Sequence, residues 1–106
     1  MSWTPLPEAT VLALVADDDP AKIVVDVRDP METADGTIEG ARLVPLADIA
    51  AILDELDDAA NVYLVCRSGS RSAYATEVLI GAGKRGAKNV VGGMIAWAQA
   101  GLPIVR

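Results

Sequence analysis

The chain contains one cysteine, Cys66, at the head of a segment whose residue types could do chemistry. This segment, CRSGSR at residues 66–71, follows an apolar run and precedes a helical pattern that opens near Ser72. A strand, a tight turn and a helix N-terminus together surround a point with backbone N–H groups, an arrangement suited to anions. The sequence therefore predicts a small anion-binding cup with a thiol at its rim.

The side chains of this segment favour nucleophilic chemistry at Cys66. The thiolate is the reactive form of cysteine, and its pKa falls beside a helix N-terminus or cationic neighbours. Arg71 adds charge and forked donors for an oxyanion, and Gly69 permits a backbone turn that a side chain would forbid. Ser72 offers a hydroxyl and can also cap the helix. We predict that Cys66 and Arg71 are catalytic, and that the substrate is bound by Arg67, Ser68, Gly69, Ser70 and Ser72.

The residues that the chain lacks narrow the chemistry further. It has no histidine, which excludes Cys–His proteases and His-based metal sites. One cysteine cannot build a zinc site, and neither Gly-x-Gly-x-x-Gly nor a Walker-type lysine loop is present. We expect no metal and no cofactor.

Charge is distributed unevenly and points to a small anionic substrate. The net charge is −6, yet residues 61–106 hold six basic residues and a single acid. Nucleic-acid-binding proteins are normally basic overall, which disfavours that partner, whereas a cationic half around the cysteine suits a small anion. No apolar run approaches the ~18 residues of a membrane span, and the N-terminus lacks signal-peptide features. A free thiol fits a reducing, cytoplasmic setting.

Hydrophobic periodicity predicts an α/β fold. Ile49, Ile52 and Leu56 recur at helical spacing, whereas KIVVDV at residues 22–27 is a β-branched run typical of a central parallel strand. The pattern predicts helices at residues 7–15, 47–56, 72–80 and 94–100, and strands at residues 22–27, 42–44, 62–65 and 89–91. Strands that alternate with helices predict one domain, residues 1–106, with a mostly parallel central sheet and helices on both faces.

Four stretches resemble the single-domain rhodaneses, the thiosulfate sulfurtransferase family, in their order and spacing. They are VVDVRDPME (residues 24–32), GTIEGA (36–41), CRSGSRS (66–72) and VGGMIAWAQAGLP (91–103). The resemblance implies a rhodanese-like fold and a sulfurtransferase in which Cys66 accepts sulfane sulfur as a persulfide held by the loop amides. The donor would be a small anion, thiosulfate or a polysulfide, and the acceptor an external thiol or cyanide.

The resemblance also extends to residues outside the loop. Asp26, Arg28 and Glu32 match family positions that are mainly structural and tie down the chain after its strand, and Trp97 matches a core position. The family commonly has a histidine after the first glycine of its Gly-His-Ile turn, where this chain has Thr37. That histidine is generally structural, so its loss leaves the reaction class intact and bears on local packing.

Other functions stay open at this point. Phosphatases with a Cys-x5-Arg loop hold one more residue from cysteine to arginine than the six of Cys66 to Arg71, and the smaller cup suits a sulfane sulfur. Rhodanese-like regulatory modules often lack the cysteine or the loop arginine, and this chain keeps both. We rank a sulfurtransferase first, a sulfur-relay or polysulfide-binding role second, and a phosphatase or arsenate reductase third.

Overall fold

Short β-branched runs alternate with helices along the chain, as the periodicity predicts. A computed structural model of the protein describes residues 5–106, so the predicted domain of residues 1–106 includes four residues outside the described part. The elements are β1 (Glu8–Ala9), α1 (Val11–Ala16), β2 (Ile23–Asp26), α2 (Pro30–Thr33), β3 (Arg42–Leu43), a 3₁₀ helix (Leu46–Glu55), β4 (Val62–Val65), α3 (Ser70–Gly81), β5 (Ala87–Val90) and α4 (Gly93–Gln99).

The five strands form one sheet in the order β1-β5-β4-β2-β3, and every strand pair in it is parallel. Val25 of β2 pairs with Leu64 of β4, which in turn pairs with Asn89 of β5. Because the strands are parallel, the carboxyl ends of β2, β4 and β5 meet at one edge of the sheet, where such sheets place their sites. The predicted α/β class is confirmed.

Helices cover both faces of the sheet and bury two apolar clusters. On one face α3 and the 3₁₀ helix pack on Val25, Leu64 and Ala87, together with Cys66. On the other face α1 and α4 pack on Val24, Val65 and Val90, together with the buried Trp97. Side chains alternate between faces along a strand, and this alternation places Cys66 on the α3 side.

Two predicted helices differ from the structure in the type of element that is found there. The helix predicted at residues 7–15 is wrong at its start, because Glu8 and Ala9 pair with β5 as an edge strand. Thr10 then begins α1 by accepting a hydrogen bond from the amide of Ala13 at 3.0 Å. The helix predicted at residues 47–56 is a 3₁₀ helix that follows Pro45. Among residues 5–106, no helix is both long enough and apolar enough to cross a membrane.

Candidate active site

Strand β4 delivers Cys66 to the carboxyl edge of the sheet. The strand spans Val62–Val65 as predicted, and Cys66 follows it directly with only 1% of its surface exposed. Gly69 has a φ of +114°, a left-handed conformation that favours glycine, and it is the N-cap of α3. The helix therefore begins at Ser70, two residues earlier than predicted, and its first turn faces the thiol.

Hydrogen-bond donors converge on the sulfur of Cys66. The amide of Gly69 donates to Sγ at 3.0 Å, and the hydroxyl of Ser72 lies 3.3 Å from the same atom. Burial raises the pKa of the Cys66 thiol, but hydrogen bonds from the Ser72 side chain and from the amides of Ser72, Gly69 and Ser68 outweigh it. The net effect lowers the pKa below its ordinary value, so the site favours the reactive thiolate.

Ser72 does not cap α3, which corrects one of the roles predicted for it. Gly69 occupies the cap position, and Ser72 lies within the helix with none of its surface exposed. Its hydroxyl turns inward, towards Cys66 and Asn89, because the early start of α3 places it beneath the loop. Ser72 is therefore a neighbour of the sulfur and not a helix cap.

Helix α4 fixes the backbone of the loop from the other side. The amide of Met94 donates to the carbonyl oxygen of Cys66 at 2.9 Å, and the amide of Ile95 donates to that of Arg67 at 3.1 Å. These two bonds also use N–H groups of the first turn of α4 that have no partner within the helix. The carbonyl oxygens of Cys66 and Arg67 therefore point out of the loop towards α4. The N–H group of each of these peptide planes points the opposite way, into the loop.

Arg71 forms a forked ion pair with Glu32. Its Nη1 and Nη2 atoms lie 2.6 and 2.8 Å from the two carboxylate oxygens, and both side chains are about one-third exposed. The hydrogen bonds from Arg71 lower the pKa of Glu32 to about 2. Glu32 also accepts from the amide of Asp29, in the capping box of α2, which fixes its position.

The other predicted loop residues contribute differently. The side chains of Arg67, Ser68 and Ser70 are exposed, and none of them hydrogen-bonds to another side chain within residues 5–106. The structure thus gathers Cys66, Gly69, Ser72 and Arg71 at the loop, whereas Arg67, Ser68 and Ser70 face solvent at its mouth.

The segment after β2 is held by a buried polar cluster. The Nε and Nη2 atoms of Arg28 both donate to the carboxylate of Asp26, the shortest bond being 2.7 Å, and Nη2 also donates to the carbonyl oxygen of Gly36 at 2.7 Å. Thr37, in the position of the family's histidine, donates its hydroxyl to Asp26 at 2.8 Å. Although threonine is shorter than histidine, Thr37 therefore still gives the buried carboxylate of Asp26 a hydrogen-bond donor. The loss of the histidine leaves no unpaired carboxylate at this point.

An open groove of about 470 Å³ lies beside the loop. Arg67 and Glu32 line it on the loop side, and Met94 and Ile95 of α4 form an apolar wall. Cys66 does not line the groove, so the groove is a surface beside the loop and not the pocket that holds the thiol. Within residues 5–106, no group of three or more acidic or cysteine side chains is placed to hold a metal ion.

Sequence reasoning missed Asn89 as a site residue. Its side chain is 95% buried and lies 2.6 Å from the hydroxyl of Ser72, which in turn approaches Cys66. The available signal was a polar amide inside an otherwise apolar strand, since buried polar groups need a hydrogen-bond partner. It also missed that Glu32 pairs with Arg71, because 39 residues separate the two in the chain.

Comparison with known proteins places this geometry in a family. A rhodanese-like domain matches residues 8–100. A sulfurtransferase of Allochromatium vinosum is 41% identical over 83 residues, which cover 78% of each chain. The chloroplastic thiosulfate sulfurtransferase 16 of Arabidopsis thaliana is 36% identical over 91 residues, which cover 74% of this chain and 76% of the relative.

A solved structure agrees with these sequence matches. The crystal structure of a rhodanese-related protein from Thermoplasma volcanium superposes with a TM-score of 0.84 at 28% identity, and covers 93% of this chain and 97% of the other. The resemblance drawn from the four sequence stretches, and the rhodanese-like fold it implies, are both confirmed.

Proposed function

The chain belongs to the rhodanese-like domain family, and from this premise we propose that it is a sulfurtransferase that carries sulfane sulfur on Cys66. The donor is thiosulfate or a related small anion, and the acceptor is cyanide or an external thiol. Relatives that are named sulfurtransferases support the reaction class, and the lone free thiol supports a reducing, cytoplasmic setting.

The observation that carries the proposal is the set of donors around Sγ of Cys66. The Gly69 amide donates to the sulfur at 3.0 Å, and the Ser72 hydroxyl oxygen lies within hydrogen-bonding distance of the sulfur at 3.3 Å. Fixed donors of this kind stabilise negative charge without reorganisation during the reaction. A persulfide needs such stabilisation, because its outer sulfur is charged at neutral pH and lies in the same loop.

The chemistry requires two displacements at sulfur. The Cys66 thiolate attacks the outer sulfur of thiosulfate, so that a new S–S bond forms while the S–S bond of thiosulfate breaks and sulfite leaves with the electron pair. The acceptor then attacks the outer sulfur of the persulfide, and the electron pair of the broken bond returns to Cys66. Arg71 stabilises the charge that develops on the anionic donor and leaving group.

A sulfur-relay role is the second candidate, and the groove beside the loop favours it. Its apolar wall, formed by Met94 and Ile95, offers nothing to a small inorganic anion but could contact an acceptor protein. A relay protein would load with sulfur as readily as an enzyme does but would transfer it slowly to cyanide. Rates of loading and of thiocyanate release, measured separately, distinguish the two.

Replacement of the thiol tests the proposal. Cys66→Ser keeps the shape of the site but offers a far weaker nucleophile at neutral pH. We expect thiosulfate-to-cyanide transfer, followed as thiocyanate, to fall to background. The thermal unfolding midpoint should change little. As a control, Thr76→Val, which removes a buried hydroxyl of α3 that donates to the Ser72 carbonyl oxygen, should keep transfer.

The same variants test the phosphatase alternative. The six-residue span from Cys66 to Arg71 leads us to expect negligible hydrolysis of an aryl phosphate under conditions where sulfur transfer is easily followed. Sulfur transfer that survives in Cys66→Ser would overturn the proposal, and so would Cys66-dependent phosphatase turnover that exceeds sulfur transfer.

A further inference from the structure

The hydroxyl of Ser72 lies between two hydrogen-bond acceptors. Its Oγ is 2.6 Å from Oδ1 of Asn89 and 3.3 Å from Sγ of Cys66. A hydroxyl carries one hydrogen, so it cannot donate to both atoms at once. The direction of this single O–H bond therefore decides whether Ser72 stabilises charge on the sulfur.

Asn89 is a polar residue in an apolar setting. It lies in β5 with 5% of its surface exposed, on the sheet face that α3 covers, beside the apolar Leu64 and Ala87. Its Oδ1 atom accepts a hydrogen bond from the hydroxyl of Ser72, and its Nδ2 atom, which makes no hydrogen bond within residues 5–106, is not fully buried. A buried amide oxygen without a partner would cost free energy, and the hydrogen bond from Ser72 offsets this cost.

We propose that Asn89 is a positioning residue whose amide sets the direction of the Ser72 hydroxyl, so that Ser72 donates to the Cys66 sulfur whenever that sulfur is charged. In the neutral site the thiol donates to Ser72 Oγ, and Ser72 donates to Asn89 Oδ1. After the thiol has lost its proton to solvent, a half-turn of the amide brings Nδ2 to Ser72 Oγ. The hydroxyl then points at Sγ, and the chain of hydrogen bonds is reversed.

An amide suits this position because it carries a donor and an acceptor on one rigid group. The two atoms exchange places in a half-turn with almost no change in shape. A carboxylate would only accept and would hold the hydrogen of Ser72 away from the sulfur, whereas an aliphatic side chain would do neither. Donor and acceptor are both needed only if the sulfur alternates between neutral and charged forms.

The charged groups around Cys66 act separately from this hydrogen-bond chain. Arg71, in the same loop, is held by Glu32 in a forked ion pair. Neither residue hydrogen-bonds to Ser72 or Asn89. A change at Asn89 can therefore reach Cys66 through the Ser72 hydroxyl without displacing the ion pair. The inference rests on the proposed function in taking the thiolate and persulfide as the working charged forms.

Alkylation of the reduced protein tests the inference without any sulfur donor. Because Cys66 is the only cysteine, the pH dependence of its reaction with iodoacetamide reports the pKa of that one thiol. Asn89→Asp is almost isosteric, and we expect it to slow alkylation near neutral pH by about tenfold, the effect of a thiol pKa raised by one unit. Asn89→Leu should slow it less, because Ser72 keeps its hydrogen but loses the orienting partner.

Ser72→Ala supplies the decisive comparison. If Asn89 acts through Ser72, Asn89→Leu should have no further effect on alkylation when Ser72 is already alanine. Thr76→Val is the matched control, since it removes another fully buried hydroxyl of α3, one that donates to the Ser72 carbonyl oxygen at 2.8 Å. It should lower the unfolding midpoint and leave the pH profile of alkylation unchanged.

Two results would overturn the inference. One is an unchanged pH profile in folded Asn89→Asp protein, and the other is an equal effect of Asn89→Leu with and without the Ser72 hydroxyl. If Asn89→Leu does not fold, the alkylation profile of the nearly isosteric Asn89→Asp variant still tests the inference. The proposed function fails separately, because sulfur transfer absent from wild-type protein would overturn it whatever the alkylation profiles show.

Discussion

Arg71 and Glu32 form a forked ion pair at the edge of the loop, and the pair changes what each residue can do. Two hydrogen bonds of 2.6 and 2.8 Å hold the guanidinium in one plane. Glu32 is itself held by the amide of Asp29. The short helix α2, whose Glu32 lies 39 residues before Arg71 in the sequence, therefore orients the arginine. If the proposed function is right, the charge that meets an anionic donor is therefore positioned in advance, which is the condition for efficient electrostatic stabilisation.

Removal of the guanidinium should weaken sulfur transfer more than folding. We expect Arg71→Ala to lower kcat/KM for thiosulfate by about two orders of magnitude, the scale of losing one oxyanion donor. Arg71→Lys should recover only part, because a point charge cannot reproduce the forked contact. Arg42→Ala, at a more exposed ion pair far from the loop, is the control. If Arg71→Ala unfolds the protein, the arginine is structural and the expectation is wrong.

The same pair should make stability depend on acid. The pKa of Glu32 is about 2 in the folded protein against an ordinary value of 4.5, so its stabilising contribution is complete above about 4.5 and is lost as the pH falls towards 2. We expect Glu32→Gln to lower the unfolding midpoint near pH 7 and the difference from wild type to shrink in acid. A difference that is constant across this pH range would contradict the ion pair.

Glu55→Gln is the matched control for this acid titration. It removes a carboxylate whose ion pair with Arg42 is more exposed, the two side chains being 56% and 38% accessible. Exposed pairs contribute about 0–1 kcal/mol, so this variant should change the unfolding midpoint little at any pH.

Among the elements, α4 does most to shape the loop although it contributes no side chain to it. The amides of Met94 and Ile95 hold the carbonyl oxygens of Cys66 and Arg67. This contact requires a very close approach, and Gly93 at the start of α4 provides it, with a φ of +53°. A Cβ atom added there would overlap the Cys66 carbonyl oxygen and lie 2.7 Å from that of Arg67. Residues 93–95 thus belong to the site through their backbone.

Substitution of Gly93 should therefore disturb chemistry as well as folding. We expect Gly93→Ala to cost about 2–5 kcal/mol from left-handed strain and overpacking together. It should also raise the pKa of the Cys66 thiol, as measured by the pH dependence of alkylation, because the loop amides lose their alignment. Gly101→Ala is the matched control, since its φ is +71° but a Cβ would meet nothing within 4 Å. An unchanged pKa in folded Gly93→Ala would contradict this role of α4.

The elements that could be predicted from the sequence are those with a strong local signal. Strand β4 matches its predicted bounds, since four consecutive apolar residues fit only a buried strand between turns. Strand β1 could not be predicted, because two residues acquire strand geometry only through pairing with Asn89 and Val90. Helix α2 was also missed because it is only four residues long, too short to show helical periodicity. Asp29, Pro30 and Glu32 nevertheless form a capping-box pattern at its start.

The site was predictable where its residues are contiguous and not where they meet through the fold. Cys66, Gly69 and Arg71 lie together at the loop as their spacing indicates. Asn89 and Glu32 reach the same loop from β5 and α2, and their contacts depend on the strand order and on the early start of α3. No local pattern carries that information, which also explains why Ser72 was predicted to cap a helix that begins two residues before it.

At the scale of the whole molecule, the cysteine count and the charge distribution both bear on the proposed sulfur chemistry. The acidic residues are concentrated in residues 1–60, so the half that carries the loop is cationic despite a net charge of −6. Positive charge attracts small anions, although Glu32 of the acidic part pairs with Arg71 at the loop, and this attraction weakens as salt screens it. The chain also holds no second thiol that could attack a persulfide on Cys66.

A persulfide on Cys66 should therefore survive until an external nucleophile arrives. Conversion to an internal disulfide requires attack by a second thiolate of the same chain, and Cys66 is the only cysteine. After treatment with thiosulfate and removal of excess donor, we expect intact mass spectrometry to find protein heavier by one sulfur atom. Cyanide or a small dithiol should discharge it as thiocyanate or sulfide, whereas Cys66→Ser should never gain the mass. Failure to load with thiosulfate and with polysulfide, together with labelling of Cys66 only after unfolding, would show that the thiol is buried beyond the reach of substrates.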